Sequence, residues 1–234
     1  MVGPGGPDLE AVVARDTLLQ DFEALLETVR NCRACERHLP LAPRPVLQAG
    51  ESARILIVGQ APSALVHATG VPWNDASGKR LRVWMGVDSE VFYDASRVAI
   101  IPMGLCYPGR GKGGDLPPRR ECAPLWLDLL LSRLTRIELT VLIGQYAQRH
   151  FLGVRRKSSL AETVRAWQEY APRYFPLPHP SPRNQPWFKR NPWFEQQLIP
   201  ELQSRIGPLA LVPHMTCTGN RFGAAQPQAC RSTI

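Results

Sequence analysis

The sequence predicts an α/β protein in which a four-stranded parallel sheet carries helices on both faces. Two observations lead there. Four short apolar runs, Arg54–Gly59, Arg97–Met103, Leu139–Gly144 and Tyr174–His179, read as buried strands. Helical periodicities separate them, and strand alternating with helix is the signature of a parallel sheet closed by crossover helices. At 234 residues and 44% hydrophobic content the chain can bury one sizeable core but not two large ones.

The elements follow in order. Residues 1–14 are rich in Gly and Pro and are expected to be disordered, and 15–207 to form one domain. From Asp16 to Arg30 the residues Leu18, Leu19, Phe22, Leu25, Leu26 and Val29 recur at helical spacing. Further helical patterns cover about 78–86, 121–135, 145–152, 160–170 and 192–206. The run Tyr174–His179 is the weakest strand, because its prolines remove ladder donors. Residues 208–234 lack periodicity and read as an irregular tail in which Cys217 and Cys230 have no assigned role.

Charge and cysteine usage narrow the partners. A formal net charge of +8 suits an anionic partner, and DNA phosphate is the commonest one for a basic protein. No stretch is long and apolar enough for a membrane span, and MVGPGGPDLE lacks the basic start and apolar run of a signal peptide, so a cytoplasmic location is expected. Structural disulfides are then disfavoured, and metal binding becomes the leading account of the cysteines. Cys32 and Cys35 form C-x2-C after the first helix; Cys106 follows the second strand, and Cys122 comes fifteen intervening residues later. Four thiolates suit zinc or an iron–sulfur cluster, and spacing does not choose between them. Four separate buried thiols are the alternative.

In open parallel sheets, ligand sites collect at the carboxyl ends of strands. The first strand ends in Gly59-Gln60-Ala61-Pro62-Ser63, a tight loop through which backbone N–H groups can approach a ligand. Next comes Gly70-Val71-Pro72-Trp73-Asn74-Asp75, with Trp73 as a stacking face and Asp75 as a carboxylate beside a helix start. Asp75 also fits a plain helix cap, and Trp73 a core anchor. The second strand ends at Met103. The fourth ends in His179-Pro180-Ser181-Pro182-Arg183-Asn184, where prolines hold a histidine in one direction. Beyond it Trp187, Phe188, Lys189 and Arg190 interleave aromatics with cations, a pattern that can wedge a duplex and grip phosphates. In Gly109–Arg120 the cations Arg110, Lys112, Arg119 and Arg120 face one acid, Asp115, in a Gly-rich stretch suited to a DNA backbone clamp.

Together these motifs resemble the uracil-DNA glycosylase superfamily over about residues 24–205. Gly59–Ser63 looks like its water-activating first motif, and His179–Asn184 like its second, base-contacting motif, in the form found in single-strand-selective monofunctional members. The cysteines resemble the cluster ligands of the iron–sulfur branch, families four and five, as do Ile143–Ala147 and Phe151–Gly153 its third strand and following helix. The resemblance implies a three-layer αβα sandwich, a structural [4Fe-4S] cluster on Cys32, Cys35, Cys106 and Cys122, and a monomer. The implied activity is hydrolysis of the N-glycosidic bond of a flipped, deaminated base, which starts base excision repair. Implied catalytic residues are Asp75, His179 and Gln60. Gly59, Ala61, Pro62, Trp73 and Met103 would contact the base, and Arg110, Lys112, Ser181, Arg183, Asn184, Trp187, Lys189 and Arg190 the DNA. Two positions depart from family four: Gln60 stands where it has a glutamate, and Pro102 where it has a uracil-reading asparagine. The preferred base therefore stays open. So do two other readings, a non-catalytic binder of damaged DNA on the same fold and a zinc-stabilised nucleotide-binding protein.

Overall fold

The computed structural model describes residues 21–210. Helix α1 (Phe22–Arg30) opens it, capped by the Asp21 carboxylate. The sheet strands are β1 (Ile55–Val58), β2 (Val98–Ile100), β5 (Leu139–Ile143) and β6 (Tyr174–Leu177). They lie in the order β2-β1-β5-β6, and all neighbours are parallel. Between β1 and β2 lie α2 (Ala64–Thr69), α3 (Ala76–Met85) and α4 (Ser89–Tyr93). A short antiparallel hairpin, β3 (Arg110–Gly111) and β4 (Gly114–Asp115), precedes α5 (Cys122–Arg133). Helices α6 (Gly144–Leu152) and α7 (Leu160–Arg165) separate β5 from β6, and α8 (Gln185–Arg190) and α9 (Ile199–Ala210) close the chain.

Side chains alternate across a strand, so each apolar strand feeds two cores. Ile55, Ile57, Val98, Ile100, Val141 and Phe175 point to one face. There they pack with Leu81, Trp84 and Met85 of α3 and Leu202 and Ile206 of α9. Leu56, Val58, Ala99, Ile101 and Leu142 point to the other face. They meet Leu25, Leu26 and Val29 of α1, Leu127 and Leu130 of α5, and Ala147 of α6. The result is the expected αβα sandwich. Pro176 is tolerated inside β6 because β6 is an edge strand, where one row of ladder donors is dispensable.

Several boundaries differ from expectation. The helix expected over 160–170 stops at Arg165 and tightens into a 3₁₀ turn at Trp167–Tyr170. The stretch around Trp187, to which no helix was assigned from sequence, is helix α8 with Pro186 in its first turn, where a missing N–H costs nothing. The Gly-rich basic segment forms the β3–β4 hairpin. The last helix runs through residues 208–210, past the expected start of the tail, because Ala210 still packs on the core. The start of the first predicted helix, the N-terminal segment, Cys217 and Cys230 lie outside the described residues. No helix among the described residues is long and apolar enough to cross a membrane.

Candidate active site and cysteine centre

Loops leaving β1, β2 and β6 surround a cavity of about 240 Å³. At roughly 30 Å³ per water this is room for about eight waters, enough for one pyrimidine ring with its exocyclic oxygens. Gly59, Gln60, Ala61, Pro62 and Ser63 line it from β1, Trp73 and Asp75 from the start of α3, and Pro102 from β2. Asp115 lines it from the hairpin, and His179, Ser181 and Arg183 from β6.

Two glycines set the Trp73 wall. Trp73 has φ +55°, a conformation that a bulky residue adopts only when its surroundings hold it there. A Cβ on Gly78 would lie 1.6 Å from the Trp73 carbonyl oxygen, so only glycine admits this turn. A Cβ on Gly59 would stand 3.0 Å from Trp73 Cζ2, so the Cζ2 edge of the indole abuts the end of β1. Its ring centroid is 5.5 Å from that of His179.

Asp75 is both a cap and a cavity residue. Its Oδ1 accepts from the Gly78 N–H at 2.9 Å, and its Oδ2 accepts from the Ser63 hydroxyl at 3.3 Å. The same hydroxyl oxygen accepts the Val66 N–H at the start of α2. Ser63 thereby ties both helix starts to one loop, a role not assigned to it from sequence.

His179 is held at both ends. Its Nδ1 accepts the Ser181 N–H at 3.2 Å, and its carbonyl accepts from Asn184 Nδ2 at 2.8 Å. An Nδ1 acting as acceptor leaves the proton of the neutral ring on Nε2. Burial holds the imidazole below its usual value of 6.5, and the charges of Asp75 and Asp115 oppose that shift. His179 is thus a neutral, directed hydrogen-bond donor.

The expected site residues divide. Gln60 lines the cavity, and its Nε2 donates to the hairpin carbonyls of Leu116 (2.8 Å) and Asp115 (3.4 Å), so its amide nitrogen anchors the hairpin. Met103 does not line the cavity. It is 8% exposed and packs toward α1 and α5, because the pleat that sends Ile100 and Pro102 into the cavity turns the next residue away. Arg110 and Lys112 are exposed on the hairpin. Ser181 and Arg183 sit at the cavity, and Asn184 braces the histidine. Lys189 and Arg190 are exposed on α8. Phe188 is 4% exposed between Trp84 and Phe194 and cannot serve as a wedge. Trp187 packs edge-on against Phe188, Trp193 and Phe194. It also borders a second hollow of about 310 Å³, which shares Gln60 and His179 with the first. The helical turn of α8, absent from the sequence reading, puts both aromatics on its inner side. Asp115 was read only as a counter-charge in a basic stretch; its place in the cavity comes from the hairpin.

All four predicted cysteine ligands line one small cavity, and none is in a disulfide. Two of the sulfurs accept an N–H. Trp126 Nε1 donates to Cys32 at 3.2 Å and the Leu105 N–H to Cys122 at 3.3 Å. The Arg119 guanidinium near Cys35 and the Arg44 backbone near Cys106 oppose the upward push of burial on those thiols. Burial pushes the Cys106 thiol up to about 11 and Cys122 up to about 12. Four thiolates there need a compensating cationic group. Among the described residues no group of three or more His, Cys, Asp or Glu side chains is arranged to hold a metal ion. The thiols ring their cavity without closing on a point. In the comparison with known families, residues 47–203 match the model of the uracil DNA glycosylase superfamily.

Proposed function

The chain belongs to the uracil DNA glycosylase superfamily, and on that premise we propose that it is a monofunctional glycosylase that hydrolyses the N-glycosidic bond of a deaminated base flipped out of DNA. The observation that carries this reading is His179: a neutral imidazole whose Nδ1 is occupied by the Ser181 N–H, beside a base-sized cavity lined by Trp73 and Asp75. Extruding the base costs unstacking energy, which backbone contacts from Arg110, Lys112, Arg183, Lys189 and Arg190 offset. Trp73 forms an aromatic wall for the base. As the C1′–N bond lengthens, its electron pair moves into the base, and the Nε2–H of His179 donates to the carbonyl oxygen where that charge collects. Losing one such donor costs about 2.7–4 kcal/mol. Asp75, held by Gly78 and Ser63, positions the water that adds to C1′. The base leaves with a proton, and the strand keeps an abasic sugar. Among the described residues no lysine lines the cavity, which favours simple hydrolysis over a Schiff base.

The donor set of the second centre fits a thiolate-ligated cluster. Four thiols ring one cavity, Cys32 and Cys122 each accept an N–H of the kind that stabilises ligand sulfur, and their open arrangement favours a cluster over a single zinc ion. Cys32, Cys35, Cys106 and Cys122 would hold it. A [4Fe-4S] group there supplies structural cross-linking, since four protein ligands leave no open position.

The test is an excision assay on oligonucleotides containing uracil, hypoxanthine or xanthine, with His179→Ala and Asp75→Ala beside wild type. Abasic product from wild type on at least one lesion, falling at least about a hundredfold in His179→Ala, is expected. Wild-type rates in both variants remove the assigned site. Tight binding of lesion DNA without abasic product establishes the non-catalytic reading instead, which the substitution of an acid by Gln60 favours.

A further inference from the structure

The cavity holds a second carboxylate that no motif of the sequence accounts for. Asp115 lies at the end of β4, and its charge reaches the His179 ring. The hairpin is fixed in place by Gln60, by the Leu116 N–H on the Gly109 carbonyl at 2.8 Å, and by the β3–β4 pairing. Its stem joins two cysteines of the thiol centre, Cys106 and Cys122. A position so anchored is a mount for a side chain, not a free loop tip.

The two carboxylates of the cavity differ. Asp75 has one oxygen on the Gly78 N–H and the other on the Ser63 hydroxyl. Asp115 is exposed, and among the described residues its carboxylate oxygens have no hydrogen-bond or ion-pair partner. Cations are close: Arg183 Nη1 lies 2.9 Å from where a Cβ on Gly114 would stand. An unpaired anion at the mouth of a cavity that receives a polyanion opposes binding of the ground state. It becomes favourable only where positive charge develops, and in glycosidic cleavage that charge develops on the sugar.

Resting on the glycosylase reading, we propose that Asp115 is a further catalytic residue, the carboxylate that faces the cationic sugar, delivered by a hairpin that Gln60 locks to the base-binding loop. As the C1′–N electron pair leaves with the base, positive charge spreads over C1′ and O4′ beside Asp115. Water then adds at C1′, and its proton passes to the departing base, so that free base and a 1′-hydroxyl sugar account for all atoms. Asp75 places the water and Asp115 stabilises the cation.

The test separates charge recognition from turnover. Binding is measured to two oligonucleotides bearing abasic analogues, a neutral tetrahydrofuran and a cationic pyrrolidine, for wild type, Asp115→Asn and Asp75→Asn. Wild type is expected to prefer the pyrrolidine by at least about tenfold. Asp115→Asn should lose most of that preference while binding the tetrahydrofuran DNA as well as wild type or a few-fold better, because a charge repelling phosphate is gone. Asp75→Asn should keep most of it. Single-turnover excision by Asp115→Asn should fall about a hundredfold. An unchanged preference in Asp115→Asn overturns the assignment, and so does equal weakening toward both oligonucleotides, the mark of a structural role. Should wild type excise none of the lesions, the glycosylase reading falls and takes the catalytic role with it, and an Asp115-dependent preference then establishes recognition of a cationic sugar alone.

Discussion

Gly59→Ala is a one-carbon perturbation aimed at the aromatic wall. Gly59 is not among the positive-φ glycines, so alanine meets no backbone penalty there. The new methyl would sit 3.0 Å from Trp73 Cζ2, with Cη2 and Cε2 at 3.7 and 3.8 Å. Ordinary contact begins near about 3.5 Å, so the indole must retreat by roughly half an ångström. It cannot take the turn with it, because the Trp73 carbonyl rests against the Cα of Gly78. The ring must instead tilt, with the imidazole of His179 5.5 Å away. Overpacking costs about 1–3 kcal/mol, and the lower end applies at a cavity wall. A misplacement of about 1 Å costs about a hundredfold in rate, so about half that shift predicts about tenfold. Phenylalanine lacks the benzo edge that carries Cζ2, so Trp73→Phe should absorb the methyl. The assay is a double-mutant cycle read by single-turnover excision of whichever lesion the enzyme processes, with urea denaturation alongside. Gly59→Ala is expected to slow excision about tenfold in the wild-type background and hardly at all in Trp73→Phe, a coupling of about 1.4 kcal/mol. Equal losses in both backgrounds would refute the reasoning, because the methyl would then act through something other than the indole.

Two further expectations follow from the same geometry. His179 resists protonation when folded, whereas the unfolded chain takes up a proton near 6.5, so its contribution to stability is undiminished above that pH and declines as pH falls below it. Urea midpoints of wild type and His179→Gln measured from pH 7.5 to 5.0 should therefore converge as pH falls. Phe188→Ala should cost about 3–5 kcal/mol in urea, since the ring is buried between Trp84 and Phe194. Lys189→Ala, on the exposed side of the same helix, should instead leave stability unchanged and lower the salt dependence of DNA binding by about one phosphate contact.

The strands and the cysteine set were legible in the sequence because each rests on a local or chemically restrictive pattern. Val58, Ile100, Ile143 and Leu177 end runs whose apolar character on both faces suits only a sheet covered on both sides. A histidine fixed between prolines at a strand end also declares itself locally. Met103 was misjudged by one residue because the direction of a side chain depends on pleat register, which the β1–β2 pairing decides. Phe188 was misjudged because Trp84, which covers one side of its ring, lies far off along the chain.

What the sequence determined by itself was the succession of the four sheet strands, the strand-end positions of Gly59 and His179, and the four thiols, since each depends on near neighbours or on the chemistry of one residue type. Only the tertiary structure decided which side chains share the cavity. Asp75 and Asp115 are forty residues apart and meet at His179 because β1, β2 and β6 end on one edge of the sheet and Gln60 pins the hairpin across it. Convergence of that kind depends on long-range packing, for which no short stretch of sequence carries a signal.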